Sequence, residues 1–154
     1  MESNIVLVPF GVTLEVRDSC LCLFVQRAAR ALARRFDEAL RPVGLTNSQF
    51  SLLMALNRPD PARMRPVAGL LGMDRTTLTA ALKPLQRRGL VRVAHDPEDR
   101  RNRLLSLTDA GREVLADAVP IWRRVHGAIE SALDDPDGLR AGLRALAAET
   151  DHGV

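Results

Sequence analysis

The spacing of apolar residues changes from a helical to a β-strand period within residues 74–107, which strongly limits the possible folds. Apolar residues first recur at helical spacing, which predicts an amphipathic helix from Asp74, a capping residue, to about Arg88. Two short runs with β character follow at residues 90–94 and 103–107, separated by a charged loop at residues 95–102. This segment therefore predicts a helix followed by a β-hairpin with a long basic tip.

Elsewhere the apolar residues keep the three- and four-residue spacing of amphipathic helices. That spacing predicts helices over residues 17–41, 46–57, about 66–72 and 108–133, with a last helix from about residue 135. Thr46 and Gln49 match a capping box, and Pro120 predicts a kink in the long helix. The expected order is α-α-α-α-β-β-α-α, a mainly α fold with a small β-hairpin wing.

The N-terminal residues 1–16 are expected to form an irregular arm that packs on another surface, for example a partner subunit. Pro9 and Gly11 interrupt their apolar stretch, which is shorter than the roughly 20 apolar residues that a membrane span requires. The stretch also lacks the basic start of a signal peptide. With 154 residues and two cysteines, the chain suits a single domain, residues 1–154, in a reducing cytoplasm and without a membrane partner.

Charge is distributed unevenly along the sequence. Residues 63–103 contain ten basic and four acidic residues, so this stretch carries a net charge of +6 while the whole chain carries +3. A basic segment in an otherwise acidic chain is typical of a module that binds a polyanion. A solvated charged face would give the same composition, so both interpretations stay open on charge alone.

The helix that starts at Asp74 has an outward face suited to the major groove of DNA. At about 100° per residue, Leu78, Leu82 and Leu85 share one face and leave a small, hydroxylated and basic face opposite. The residues expected to reach DNA from this helix are Arg75, Thr76, Thr77, Thr79, Lys83 and Arg87. A short helix and a tight turn precede it, so the pattern predicts a winged helix-turn-helix over residues 46–107.

Two stretches carry a family resemblance. The sequence LGMDRTTLTAALKPLQRRGLV, followed by DPEDRRNRLLSLTDAGR, resembles the MarR (multiple-antibiotic-resistance regulator) family of transcription factors. The resemblance extends over about residues 19–146.

The resemblance implies a homodimer built from terminal helices, residues 17–41 and 108–150, which holds two winged lobes on a palindromic site in double-stranded DNA. The implied wing residues are Asp99, Arg100, Arg101 and Arg103. Arg101 would enter the minor groove and Asp99 would orient it. Members of this family usually repress genes and release DNA when a small molecule, often phenolic or otherwise anionic, binds between the dimerisation and DNA-binding parts.

Cys22 has two possible roles, a reactive thiol or a small apolar residue at an interface. Cys22 matches the early reactive cysteine of the organic-hydroperoxide regulators within this family, and a helix N-terminus favours a thiolate. Those sensors place tyrosines nearby, whereas the matching positions here are Gln26 and Phe36 and the chain contains no tyrosine. A small apolar filler at the dimer interface is the favoured interpretation of Cys22, and thiol-based peroxide sensing is the alternative.

No motif of the sequence points to an enzyme, a metal site or a cofactor. The three histidines are scattered, and no glycine-rich phosphate loop or nucleophile elbow is present. Trp122 and His126, four residues apart on a helix, are candidates for an effector pocket, although core packing explains them more simply. A helical protein-interaction module without DNA binding is the rival from another functional class.

Overall fold

The computed structural model describes residues 7–148. In this range the chain forms seven α-helices and three β-strands: α1 (Phe10–Ser19), α2 (Leu21–Leu40), α3 (Asn47–Ala55), β1 (Ala62–Arg63), α4 (Met64–Leu71), α5 (Arg75–Arg87), β2 (Val91–His95), β3 (Arg103–Leu107), α6 (Asp109–Glu130) and α7 (Pro136–Ala148). The predicted fold class, mainly α with a small β-hairpin wing, is confirmed. Residues 1–6 of the predicted arm and residues 149–150 of the predicted C-terminal segment lie outside the described residues.

The expectation of an irregular arm over residues 1–16 was wrong in its described part, because α1 starts at Phe10. Pro9 precedes the helix in an extended conformation, and its carbonyl accepts a hydrogen bond from the backbone N–H of Val12 at 3.0 Å. Gly11 lies in the first turn, where backbone N–H groups have no intrahelical acceptor in any case. Pro9 and Gly11 therefore mark the start of a helix and do not interrupt one. The predicted helix over residues 17–41 is also divided, since the extended backbone of Cys20 separates α1 from α2.

Side-chain caps fix three of the helix starts. The Thr46 hydroxyl accepts from the Gln49 backbone N–H at 3.2 Å, while the Gln49 side chain accepts from the Thr46 backbone N–H at 3.1 Å. This is the predicted capping box. Asp74 caps α5 and Thr108 caps α6, also as predicted. These positions could be located from sequence because a cap needs neighbouring residues alone.

The sheet has strand order β1-β3-β2, and both pairs are antiparallel. The β2–β3 hairpin is the predicted wing, with Val91 opposite Leu107 at its base and His95 opposite Arg103 near its tip. The two-residue strand β1 was not predicted. Its Arg63 pairs with Leu104 of β3, so the segment before α4 is attached to the wing.

Two parts of the molecule differ in how much apolar surface they cover. The core contains Leu40, Leu53, Leu78, Leu85 and Leu105, each fully buried, and it joins α2–α5, the sheet and the first half of α6. Neither α1 nor α7 contains a buried residue. Leucine, valine and phenylalanine side chains remain exposed along α1, the first half of α2 and α7. Apolar side chains left uncovered in this way are typical of an interaction surface.

Candidate nucleic-acid interface

Helix α5 has the two-sided character that the sequence predicts. Leu78, Leu82 and Leu85 are buried, whereas the six residues expected to reach DNA are all exposed: Arg75, Thr76, Thr77, Thr79, Lys83 and Arg87. Pro84 lies within the helix, which continues to Arg87. The first turns, which are the part that reads base edges in this type of motif, precede the proline and keep their backbone geometry.

The start of α5 is held by a short hydrogen bond. The Asp74 carboxylate accepts from the Thr77 backbone N–H at 2.6 Å, and this bond holds the pKa of Asp74 below its ordinary value. An ionised carboxylate at a helix N-terminus also interacts favourably with the helix dipole. The Thr79 hydroxyl donates to the Arg75 carbonyl at 2.8 Å, so its oxygen is left to act as an acceptor toward any further partner.

The turn between α4 and α5 depends on Gly72. This residue ends α4 in the left-handed conformation, with a φ of 63°, which a side chain would disfavour. Its N–H donates to the Gly69 carbonyl at 3.2 Å, and the N–H of Met73 donates to the Ala68 carbonyl at 2.9 Å. Both helices of the helix-turn-helix are thus connected by a turn whose backbone groups are paired.

The wing tip is organised around Asp99. Its carboxylate accepts from the Arg101 backbone N–H at 3.1 Å and from the Asn102 side-chain amide at 3.3 Å. The family resemblance implies that Asp99 orients Arg101. In the structure the hydrogen bond from Arg101 to Asp99 comes from the backbone N–H of Arg101 and not from its guanidinium. Arg100 and Arg101 are both exposed at this tip.

A histidine that the sequence analysis did not assign joins the two strands of the wing. His95 Nε2 lies 3.2 Å from Arg103 Nη1, and Nδ1 lies 3.0 Å from the Arg100 carbonyl oxygen. A guanidinium is a hydrogen-bond donor and has no acceptor atom. In this arrangement the Nε2 atom of His95 must therefore accept from Arg103, and its Nδ1 atom must carry the proton donated to the Arg100 carbonyl. Arg103, an expected DNA contact, is therefore held beside the tip through His95.

The wing and the helix-turn-helix enclose a basic cleft of about 710 Å³. Arg75 and Arg103, both expected DNA contacts, lie on this cleft together with Arg63 and Arg65. Arg63 and Arg65 belong to the basic stretch but are not among the DNA contacts that the sequence predicts. Their position becomes visible once β1 pairs with β3, a contact between residues some 40 positions apart in sequence. Four guanidinium groups at one cleft suit the binding of phosphates.

A second cavity, of about 450 Å³, lies among α2, α6 and α7 and has an almost wholly apolar lining. Ala28, Leu32 and Ile129 line it, and so does His126, a predicted effector-pocket residue. The other predicted residue, Trp122, does not line this cavity. Its ring stacks on the ring of Phe50, with the two ring centroids 6.2 Å apart, and on the ring of His126, with centroids 4.5 Å apart.

The polar side chains that line this cavity contact one another. His126 Nδ1 lies 3.5 Å from Glu130 Oε2, and the Arg140 guanidinium contacts the same carboxylate. Glu130 and Arg140 balance each other in charge. The cavity therefore offers apolar walls with one small hydrogen-bonding patch.

Cys22 is the second residue of α2 and is exposed, and its Sγ accepts a hydrogen bond from Gln26 Nε2 at 3.0 Å. Cys20 is half-buried and ends α1. Phe36, at the other position compared with the peroxide sensors, is buried in the core. Both cysteines are free thiols.

Among residues 7–148 no cluster of three or more His, Cys, Asp or Glu side chains could hold a metal ion. None of the helices in that same range is both long and apolar enough to cross a bilayer.

The comparison with known proteins decides the family. The MarR family model matches residues 45–102, which contain α3 to β2 and most of the wing tip. The crystal structure of the transcriptional regulator MosR of M. tuberculosis in complex with DNA is similar at 38% identity and a TM-score of 0.80, covering 86% of this chain and 97% of that one. This chain belongs to the MarR family. Its relatives are transcriptional regulators, and the fold described above is their winged helix.

Two further relatives of this MarR-family chain illustrate what such proteins bind or regulate. The transcriptional repressor CouR, solved with a 23-mer DNA duplex, is 31% identical with a TM-score of 0.70, over 94% of this chain and 99% of that one. CouR from Rhodococcus jostii has also been solved with p-coumaroyl-CoA. The organic hydroperoxide resistance transcriptional regulator of Bacillus subtilis is 27% identical over 132 residues, which are 86% of this chain and 89% of the relative.

Proposed function

We propose that this MarR-family protein is a cytoplasmic homodimer that binds a palindromic operator and represses transcription until a small molecule releases it. The observation that carries the proposal is the alignment of one exposed polar face of α5, an ordered basic wing and a cleft lined by four arginines. MosR and CouR, both solved with DNA, support the same use of this fold.

In this proposal the side chains of α5 read the major groove and Arg101 enters the adjacent minor groove. Arg75 can donate to guanine from the first turn of α5, and Lys83 reaches phosphates or bases further along the helix. Contacts from Arg63 and Arg65 to phosphates would fix the register of the lobe without reading sequence. Two lobes related by a two-fold axis would bind half-sites centred about 34–36 Å apart, which is one turn of DNA.

The dimer is supported by the apolar surface of the terminal helices. Phe10 is 72% exposed, Leu21 is 65% exposed and Phe24 is 49% exposed in the single chain. A second copy of the chain, bringing the same surface, would cover these side chains in a symmetric interface.

The cavity among α2, α6 and α7 is the proposed effector site. Its apolar walls suit an aromatic ring, and the patch formed by His126 and Glu130 suits a phenolic hydroxyl. Because Arg140 is already paired with Glu130, the lining favours a phenol over a free carboxylate among the phenolic and anionic ligands of this family. Replacing Ala31, which lines the cavity, by Phe should abolish release of DNA by phenols while leaving DNA binding intact.

Removal of the wing arginine tests the DNA-binding part of the proposal. Arg101→Ala should weaken operator binding by about 1–3 kcal/mol and leave the dimer intact. Arg123→Ala, which removes an exposed arginine from α6 outside the lobe, is the matched control and should bind as wild type does. Fluorescence anisotropy at physiological salt measures both affinities. Equal affinities for the two variants would refute the assignment of the wing.

A thiol-based organic-peroxide sensor is the second candidate, favoured by one observation. Cys22 is exposed in the first turn of α2, and the Gln26 amide donates to its sulfur. The similarity to the hydroperoxide resistance regulator of Bacillus subtilis agrees with such a role. Cys22→Ser protein should then keep its DNA in the presence of an organic peroxide, whereas Cys20→Ser protein should release it. Release by both variants would remove this candidate.

A further inference from the structure

Asp96 is a buried carboxylate to which neither DNA contact nor effector binding assigns a role. It is 3% exposed, and it is the one charged side chain buried in the described part of the chain. Its Oδ1 accepts from the Glu98 backbone N–H at 2.9 Å, and its own N–H donates to the Asn102 carbonyl at 3.0 Å. Its Oδ2 accepts no hydrogen bond. A buried carboxylate oxygen without a hydrogen bond is costly and calls for a physical reason.

The reason is found on another element. Arg63 Nη2 lies 3.1 Å from Asp96 Oδ2, close enough for an ion pair although the angles do not make a hydrogen bond. The same nitrogen lies 3.7 Å from Glu98 Oε2, which is exposed. Asp96 follows β2 directly, and Arg63 is in β1 on the far side of β3. The ion pair therefore reaches across the full width of the sheet.

The two ends of this ion pair belong to the two parts that would read DNA. Arg63 is followed at once by α4, the first helix of the helix-turn-helix, and Asp96 begins the wing tip. Arg63 also lines the basic cleft between them, together with Arg75 and Arg103. The backbone pairing of β1 with the wing has two residues, which is short for a strand, and Ala62 of β1 packs in the core beside it.

We propose that Asp96 and Arg63 form a latch that sets the position of the wing relative to α5, and that Asp96 is a positioning residue for operator recognition. The proposal rests on the proposed DNA-binding function. With the latch closed, Arg101 and the first turn of α5 are held at the separation that neighbouring major and minor grooves require. With the latch open, the lobe keeps its basic charge but loses this fixed separation.

The substitution Asp96→Asn distinguishes a positioning role from a charge effect. Loss of positioning would weaken operator binding, whereas loss of a negative charge would strengthen binding to any DNA. Asparagine keeps the oxygen that accepts from the Glu98 N–H and removes the negative charge beside the cleft. If charge alone mattered, D96N would bind all DNA as tightly as wild type or more tightly. The latch predicts instead that D96N binds its operator about tenfold more weakly, the scale of one good base contact, while affinity for random DNA is unchanged or higher.

A double-mutant cycle tests whether the two residues act as a pair. Arg63→Gln should also weaken operator binding. The double variant R63Q/D96N should bind no more weakly than R63Q, because either substitution alone already removes the ion pair. Arg65→Gln, on the same cleft and without the ion pair to Asp96, is the matched control. Its effect should add to that of D96N. Because the Arg63 side chain is 55% exposed, R63Q tests the pair even where D96N lowers the unfolding temperature.

The outcomes separate the latch from the function on which it rests. Weaker operator binding by D96N with random DNA unaffected, together with non-additivity in the cycle, supports the latch. Operator binding by D96N equal to or tighter than that of wild type, or additive effects of R63Q and D96N, overturns it and leaves the DNA-binding function in place. A wild-type protein that does not distinguish its operator from random DNA overturns both.

Discussion

The junction between the wing and α6 yields a prediction whose size follows from the structure. Gly111 lies in the first turn of α6, and a Cβ built on it would lie 2.1 Å from the Leu90 carbonyl oxygen and 3.5 Å from Leu107 Cδ2. Carbon–oxygen contacts are normally no closer than about 3.3 Å, so Gly111→Ala requires the backbone to separate by roughly 1 Å. The Leu90 carbonyl accepts from the Thr108 N–H at 3.1 Å, and the Thr108 hydroxyl donates to the Gly89 carbonyl at 2.6 Å. Both hydrogen bonds would lengthen.

The expected cost of Gly111→Ala is the balance of two effects. Overpacking costs about 1–3 kcal/mol and a weakened hydrogen bond about 1 kcal/mol, while alanine gains about 0.5–1 kcal/mol over glycine within a helix. The net loss of about 1–3 kcal/mol lowers the unfolding temperature by about 3–10 °C for a domain of this size. Gly127→Ala, in the same helix, adds a methyl group that no atom outside the adjoining helix backbone and the two neighbouring residues approaches within 4 Å, and it should raise the unfolding temperature by about 1–3 °C.

Thermal unfolding followed by circular dichroism measures both variants, at one protein concentration because self-association shifts the midpoint. The two alanine substitutions must move the midpoint in opposite directions. A Gly111→Ala protein as stable as Gly127→Ala would refute the close approach of α6 to the Leu90 carbonyl.

Two further predictions concern the cap of α5 and the terminal helices. Asp74→Ala should destabilise the protein at neutral pH. Because folding lowers the pKa of Asp74, this carboxylate contributes its stability above an unfolded-state pKa of about 3.9 and loses it as the pH falls through the lower folded-state pKa. The difference between variant and wild type in urea denaturation should therefore disappear in acid, and a difference that persists at pH 2 would contradict the role of the charge. Leu146→Glu, which puts a charge on the apolar stripe of α7, should shift the protein from dimer to monomer in sedimentation velocity, whereas Arg144→Glu should not; an unchanged dimer in both would place the interface elsewhere.

The sequence predicts well the features that depend on neighbouring residues. Thr46, Asp74 and Thr108 cap helices as expected, because a cap involves residues two or three positions apart. The buried leucines of α5 follow from helical spacing in the same way. The start of α1 could have been found by the same reasoning, since a proline before a helix and a glycine in its first turn are compatible with that helix.

Features that depend on distant pairing could not be predicted. Strand β1 has two residues and no β pattern of its own, and it exists because β3 pairs with it. For this reason the sequence does not predict that Arg63 and Arg65 lie on the cleft. Nor does it predict the ion pair between Arg63 and Asp96. In the sequence Asp96 is one of several charged residues of a loop. Its burial depends on the tertiary packing of the wing near Arg63 of β1.

In the proposed function this chain recognises a specific DNA sequence through its winged lobe. The most direct test is the ratio of dissociation constants for DNA from upstream of its own gene and for a shuffled duplex of the same length, measured by anisotropy with reduced protein at two salt concentrations. Sequence-specific recognition requires the upstream DNA to bind at least about 10³-fold more tightly, with both affinities falling steeply with salt. Equal binding of the two duplexes, with little dependence on salt, would contradict it and favour a helical module that binds proteins instead.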